Sequence, residues 1–175
     1  MQSLADGKGM IMSQNSYEES YLGQLRKMVG DAKVIIDAAR AVLFDKEGRL
    51  LLIRRRDNRR WAMPAGAMEL DESIYDCLVR EVREESGLDV HAATLFSIWT
   101  DPRKTSIVTQ YGDPYQLIVF VFRVDVWSGN LVTQTDETVN AGFFNLDHLP
   151  EIAQHYHETL EDLTRFETSG QLILK

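Results

Sequence analysis

The stretch "REVREESG", residues 80–87, holds three glutamates: Glu81, Glu84 and Glu85. On a helix they sit at i, i+3 and i+4 and share one face. Like charges at that spacing repel by roughly 0.2–0.5 kcal/mol per pair. The residues around them explain why a chain would build this. Ser73 and Asp76 resemble a capping box that starts the helix, and Gly87 is expected to stop it. A helix turns about 100° per residue. With Ile74 at the centre of its face, Cys77, Leu78 and Val82 fall within about 80° of it and form the core stripe. Glu81, Glu84 and Glu85 fall on the same arc, and Asp76, Arg80 and Arg83 on the other side. A solvated charge run would lie opposite the apolar stripe. Here the inward face begins apolar and turns acidic. Arg80 can pair with Glu84 at i+4, which leaves Glu81 and Glu85 aimed inward without partners, a costly state. A divalent cation resolves the conflict. Hard oxygen ligands favour Mg²⁺ or Mn²⁺ over Zn²⁺, and Mg²⁺ usually pairs a few carboxylates with substrate phosphate oxygens.

The rest of the composition is that of an ordinary globular protein. The chain has 175 residues, 44% hydrophobic and 26% charged, with a formal net charge of −8. That length favours one domain. The acidic balance argues against a general nucleic-acid binder or a membrane-surface protein, and still allows a small anionic substrate beside a metal or a basic cluster. The longest apolar run, "LIVFVF" at residues 117–122, is too short to span a membrane. A single cysteine, Cys77, and no signal peptide give a cytoplasmic home as the expectation.

Residues 1–16 carry no apolar period and read as a disordered N-terminal tail. A short amphipathic helix is expected over residues 17–30, with Tyr21, Leu25 and Met28 at helical spacing and Gly30 as its stop. It would pack on the domain, residues 31–175, or on a second copy in a homodimer. "AARAVLF" (38–44) and "LLLIRR" (50–55) read as two strands of a hairpin joined by "DKEGR". Further strands are expected near 90–99, 115–126 and "AGFFN" (141–145), with a turn at "WSGN" (127–130) and a last helix from about Pro150 to Thr168. Mixed sheets with helices packed outside them follow from that order.

Gly66, then five residues, Glu72, then seven residues and "REVREESGL" resemble the full Nudix box, and the flanks "LLIRRRDNRRW" and "ETVNAGFFNLDHLP" are similar to that family's surroundings. Two positions depart from its pattern: Ala65 stands where a glycine is usual, and Asp71 where a glycine often precedes Glu72. Neither removes a side-chain ligand. The resemblance implies an α/β fold, an α/β/α sandwich around a mixed β-sheet. It implies Mg²⁺-dependent cleavage of a nucleoside diphosphate linked to another moiety, with Mn²⁺ as a substitute. It implies that Glu81 and Glu85 ligate metal directly, Glu84 directly or through water, and the Ala65 carbonyl with them. It gives Glu72 and Gly66 supporting roles and makes Arg80 the ion-pair partner that holds the glutamates.

Water attack on phosphorus needs a proton acceptor. Two sources are open: a helix glutamate, Glu84 or Glu85, or Glu137 ahead of the "FF" strand, where the family resemblance implies a base or extra ligand in some members. Arg54, Arg55, Arg56, Arg59 and Arg60 make a basic cluster suited to phosphate, with Arg54 and Arg55 as candidate substrate contacts on opposite strand faces. Trp61 and Trp99 read as core residues before base-stacking ones, and Cys77 as core. His155 and His157 do not share a helix face, so they do not read as a metal pair. Pro102, 15 residues after Gly87, resembles the ADP-ribose-cleaving group, and the loop 100–115 is long enough to carry selectivity. ADP-ribose or a nucleotide sugar leads as substrate. A nucleoside triphosphate or RNA 5′ end, and a nucleotide sensor without catalysis, are the alternatives.

Overall fold

A computed structural model describes residues 18–108 and 113–175. The tail expected over residues 1–16 lies outside the described residues. In order, the elements are α1 (Tyr21–Val29), β1 (Val34–Leu43), β2 (Leu50–Arg55), β3 (Trp61–Ala62), β4 (Ala65–Ala67), α2 (Ile74–Ser86) and β5 (Leu88–Trp99). There follow α3 (Pro102–Thr105), β6 (Ser106–Val108), β7 (Pro114–Gly129), β8 (Thr138–Phe144), a 3₁₀ turn (Leu146–His148), α4 (Gln154–Ser169) and β9 (Ile173–Leu174).

Side-chain alternation along the strands creates two cores. Ala39, Ala41 and Leu43 of β1, Leu51 of β2, and Phe122 and Val124 of β7 pack with Cys77, Leu78 and Val82 of α2. The intervening Val42, Leu50, Leu52, Val119 and Val121 pack on the opposite side with Trp99, Ile152 and Leu163 of α4. Helices therefore cover both faces, and the α/β/α sandwich expected from the family resemblance is present. The large sheet runs β4-β1-β7-β5-β9, with β6 also on β7, and it is mixed: β1 and β7 are parallel, β1 and β4 antiparallel. A second sheet runs β3-β2-β8.

The expected hairpin of β1 with β2 does not form. Its turn does: Asp45 Oδ1 accepts from the Glu47 and Arg49 amides, and an isolated bridge joins Phe44 to Leu50. Beyond that rung the strands part, because the two edges of β1 are taken by β4 and β7. The run Leu50–Ile53 is buried on both faces, so β2 enters a sheet of its own between the two cores.

Smaller shifts have local causes. In α1, Leu22 and Leu25 pack against Ile36 and Tyr115 of the same chain, while Met28 lies beyond that contact and is 75% exposed. The "WSGN" segment stays in β7 as far as Gly129, which pairs with Leu88, so the turn comes later. Residues 100–115 are not one loop: they include α3 and β6, which pairs with β7. The last helix starts at Gln154, because Ile152 is held extended in a bridge to Trp61.

Candidate active site

Local chemistry fixes α2 as the sequence implies. Ser73 Oγ accepts from the Asp76 amide at 3.1 Å, and Asp76 Oδ2 accepts from the Ser73 amide at 3.1 Å. Gly87 closes the helix in the left-handed region at φ 74°. Just before the helix, Asp71 adopts φ 64°, a conformation that glycine takes freely and Asp tolerates better than most residues. The site therefore keeps a glycine-like backbone without the glycine.

The three box glutamates do not share one environment. Glu81 and Glu85 are buried, whereas the Glu84 side chain is 48% exposed. Glu84 stands at the edge of the inward arc, about 80° from its centre, and turns toward solvent. Arg80, assigned by the helical wheel to the outer side, folds its long side chain back across the acidic face. Its Nη1 donates to Glu81 Oε1 at 2.6 Å and Glu84 Oε2 at 3.2 Å. Its Nε donates to Glu72 Oε2 at 3.0 Å, and Nη2 to Glu72 Oε1 at 2.7 Å and to the Ala67 carbonyl at 2.9 Å. Glu81 is thus not unpartnered. Glu85 Oε2 accepts the Ala65 amide at 2.9 Å, and Arg55 Nη1 lies 3.6 Å from Oε1.

Sheet geometry supplies those backbone partners. The Met68 and Ala41 amides bond across to Asp37 and Pro64, so the intervening rungs at Ala65 and Ala67 are non-bonded and turn their polar groups away from β1. The same alternation aims the Ala65 carbonyl outward with its amide. Gly66 lets Glu81 come close: a Cβ there would stand 1.9 Å from the Glu81 carboxyl carbon. Gly66→Ala is therefore expected to push that carboxylate aside and cut turnover about 10²-fold. Melting should fall as well, because the displaced carboxylate is buried and bonded to Arg80 at 2.6 Å. Unchanged turnover would dismiss the close approach as incidental.

Glu137 joins the cluster from the turn before β8. Carboxylate oxygens of Glu81, Glu85 and Glu137 all lie within 4.8 Å of one another. No sequence period links Glu137 to α2; only the pairing of β8 with β2 brings it here. Among the described residues its carboxylate accepts no hydrogen bond. Of the arginines, Arg55 is inside, bonded to Asp57 Oδ1 at 3.2 Å and facing Glu85. Arg54 is exposed and donates to the Arg59 carbonyl at 2.8 Å. Arg56 is tied to the carbonyls of Thr135 and Asp136. Asp57, the partner of Arg55, carried no sequence signal.

The electrostatics follow from burial. Burial pushes Glu81 up to about 7, against the pull of Arg80 and with help from Glu137 and Glu84. Burial, then the Glu81 charge, raises Glu85 well above the carboxylate range, and burial raises Glu137. A set of oxygen donors that repel one another in a buried site fits a hard divalent cation. The sign of the pH dependence is fixed. For Glu81 the folded value lies above the ordinary 4.5, so between pH 4.5 and about 7 the metal-free fold holds a proton that the unfolded chain has released. Stability then falls as pH rises through that window. A cation favours the ionised form, so the melting gain from saturating Mg²⁺ should grow from about pH 5 to about pH 8. A gain independent of pH would refute cation binding by these groups.

The fold and this carboxylate site define a Nudix hydrolase. The chain belongs to that family: the family model described as NUDIX domain matches residues 35–163. It is 30% identical over 128 residues to the ADP-ribose pyrophosphatase of Methanocaldococcus jannaschii, covering 71% of this chain and 70% of that protein. It is 38% identical over 88 residues to the NAD-capped RNA hydrolase NudC of Pseudomonas aeruginosa, covering 50% of this chain and 28% of that protein. A solved ADP-ribose pyrophosphatase from Streptococcus suis has 28% identity and a TM-score of 0.60, covering 79% of this chain and 96% of that one. Among the described residues, no helix is long and apolar enough to cross a membrane.

Proposed function

We propose that this protein hydrolyses the P–O–P linkage of a nucleoside diphosphate joined to another moiety, ADP-ribose or a nucleotide sugar, by water attack on phosphorus. The observation that carries the reading is the convergence of Glu81, Glu85 and Glu137, with carboxylate oxygens within 4.8 Å of one another. Glu81, Glu85 and the Ala65 carbonyl would hold Mg²⁺, or Mn²⁺ in its place. Such a cation neutralises phosphate charge and acidifies bound water.

The chain's own groups do the rest. Arg80 holds Glu81 in one rotamer and keeps it from closing on Glu85. The Ala65 amide and Arg55 fix Glu85. Glu84 is pinned to Arg80 at the rim, so Glu137 is the better proton acceptor. Among the described residues its carboxylate has no hydrogen bond to release before it takes the proton. Arg55 stands beside the cluster and can meet a phosphate oxygen, whereas Arg54 faces outward.

The likeness to a pyrophosphatase that acts on ADP-ribose supports the leading substrate. The likeness to NudC supports an RNA 5′ end as the second reading. The expected cytoplasmic home and a homodimer belong to the same reading.

The test is phosphate-product release with Mg²⁺ from ADP-ribose, nucleotide sugars, dinucleoside polyphosphates, nucleoside triphosphates and 5′-triphosphate RNA. Turnover confined to the diphosphate-linked compounds supports the proposal. Turnover of triphosphates or RNA alone transfers the assignment to them. Nucleotide binding without any turnover makes the chain a sensor.

A further inference from the structure

Val34, Ile36, Ala38, Arg40 and Val42 share the face of β1 turned toward α4, and Arg40 is the one charged residue among them. Arg40 is 8% exposed. Its guanidinium carbon lies 5.2 Å from the Trp99 ring centre and 5.1 Å from that of Tyr156. Nη1 donates to Thr159 Oγ1 at 2.8 Å. Nε is buried without a partner, and Nη2 donates to none of the described residues. The other cations over Trp99 are each neutralised, Lys104 by Glu158 and Lys175 by Asp162 at 2.8 Å. Among the described residues, Arg40 has no carboxylate within 4.0 Å. Its charge is offset only indirectly, by the Trp99 and Tyr156 rings and the nearby Asp162, and its Nε–H is left unsatisfied, which a fold does not keep cheaply.

Its position is informative. Arg40 lies directly across the ladder from Ala65, whose amide holds Glu85. Tyr156 is close enough to feel the charges of Arg40, Arg55 and Glu85 alike. This buried guanidinium therefore sits one strand from the carboxylate cluster, on the opposite face of the sheet. The guanidinium carbon lies over both rings and Nη1 is bonded to Thr159, so the Nε–Nη2 edge is what remains for a ligand. That edge only donates, and it matches paired oxygen acceptors.

We propose that Arg40 is a specificity-determining residue whose free edge donates to an oxygen acceptor, phosphoryl or carbonyl, on the nucleotide half of the substrate. The proposal rests on the hydrolase reading for where the diphosphate lies.

The test is calorimetric binding, without metal, of AMP, GMP, CMP, UMP and ribose 5-phosphate to the wild type, Arg40→Met and Arg40→Lys. Melting curves and steady-state kinetics on the best diphosphate accompany it. Arg40→Met should weaken binding by about tenfold or more and raise KM by a similar factor, with kcat within about threefold. It should melt no lower than the wild type, because an apolar side chain of similar length replaces a buried guanidinium whose Nε–H is unsatisfied. Arg40→Lys should recover part of the affinity. Equal losses with ribose 5-phosphate assign the contact to phosphate. Losses confined to GMP, CMP and UMP assign it to a ring carbonyl. Unchanged affinity and KM, or a lower melting point with kcat falling in step, overturns the proposal. Arg40-dependent binding with no diphosphate turned over leaves it standing and removes the hydrolase reading. Turnover indifferent to Arg40→Met does the reverse.

Discussion

Glu85→Gln is expected to lower kcat by roughly 10²–10⁴-fold while leaving the fold intact. Glu85 is 1% exposed, so the substitution must be nearly isosteric to be read cleanly. Gln retains a carbonyl oxygen for the Ala65 amide, which now bonds Glu85 Oε2 at 2.9 Å. What disappears is one negative charge. Metal-free, that charge is unfavourable: burial and the neighbouring Glu81 hold the Glu85 carboxyl well above its usual range. The variant should therefore melt no lower than the wild type without metal, and gain less from saturating Mg²⁺. Steady-state turnover beside two melting curves checks both halves. Activity within tenfold of the wild type would place the reaction elsewhere on the molecule.

Arg80→Met should do the opposite, costing stability first. The guanidinium reaches Glu72 through two bonds, Glu81 through one at 2.6 Å, and the Ala67 carbonyl. Removing it leaves partly buried carboxylates unpaired, and breaking such a pair costs about 3–5 kcal/mol. Urea denaturation at pH 7 reads that loss directly. Arg80→Lys should recover only part, because a single ammonium cannot span three carboxylates and a carbonyl. Burial pushes Glu72 up, but the Arg80 hydrogen bonds, the Glu69 amide and the Arg80 charge together outweigh it, so the net shift is down from 4.5. A depressed folded value contributes stability above the unfolded value and loses it as pH falls. The gap between wild type and Arg80→Met should thus narrow below about pH 4.5. A gap of equal size at pH 4 and pH 7 would mean that Arg80 acts through packing and not through charge.

The box helix was legible because its signals are local. Ser73, Asp76 and Gly87 mark its ends within one stretch, and the turn from an apolar to an acidic face lies within four helical turns. The family resemblance added the sandwich and a supporting role for Gly66, whose closeness to Glu81 only the structure shows. What escaped the sequence is long-range. Glu137 was already a candidate, but its meeting with Glu81 and Glu85 comes through the pairing of β8 with β2, and no period records which strands pair. The split of β1 from β2 was hidden because a good turn at Asp45 reads as a hairpin however the strands continue. β3, β4, β6 and β9 have only two or three residues each, too few for alternation to show. The wheel also mislocated Arg80 and Glu84. It gives the direction of Cβ, and a long side chain can reverse it. Arg40 was invisible as a site because a lone arginine in a strand announces nothing until its neighbours are known.

β4 ends the large sheet, and its outward amide and carbonyl groups would ordinarily be a docking rail for another chain. Here the Ala65 amide is engaged by Glu85 and the Ala67 carbonyl by Arg80. The side chains of the proposed reaction centre thus double as a guard against edge-to-edge aggregation. Variants that disarm them free one amide and one carbonyl on that edge, and solubility during expression becomes a second phenotype of the same residues.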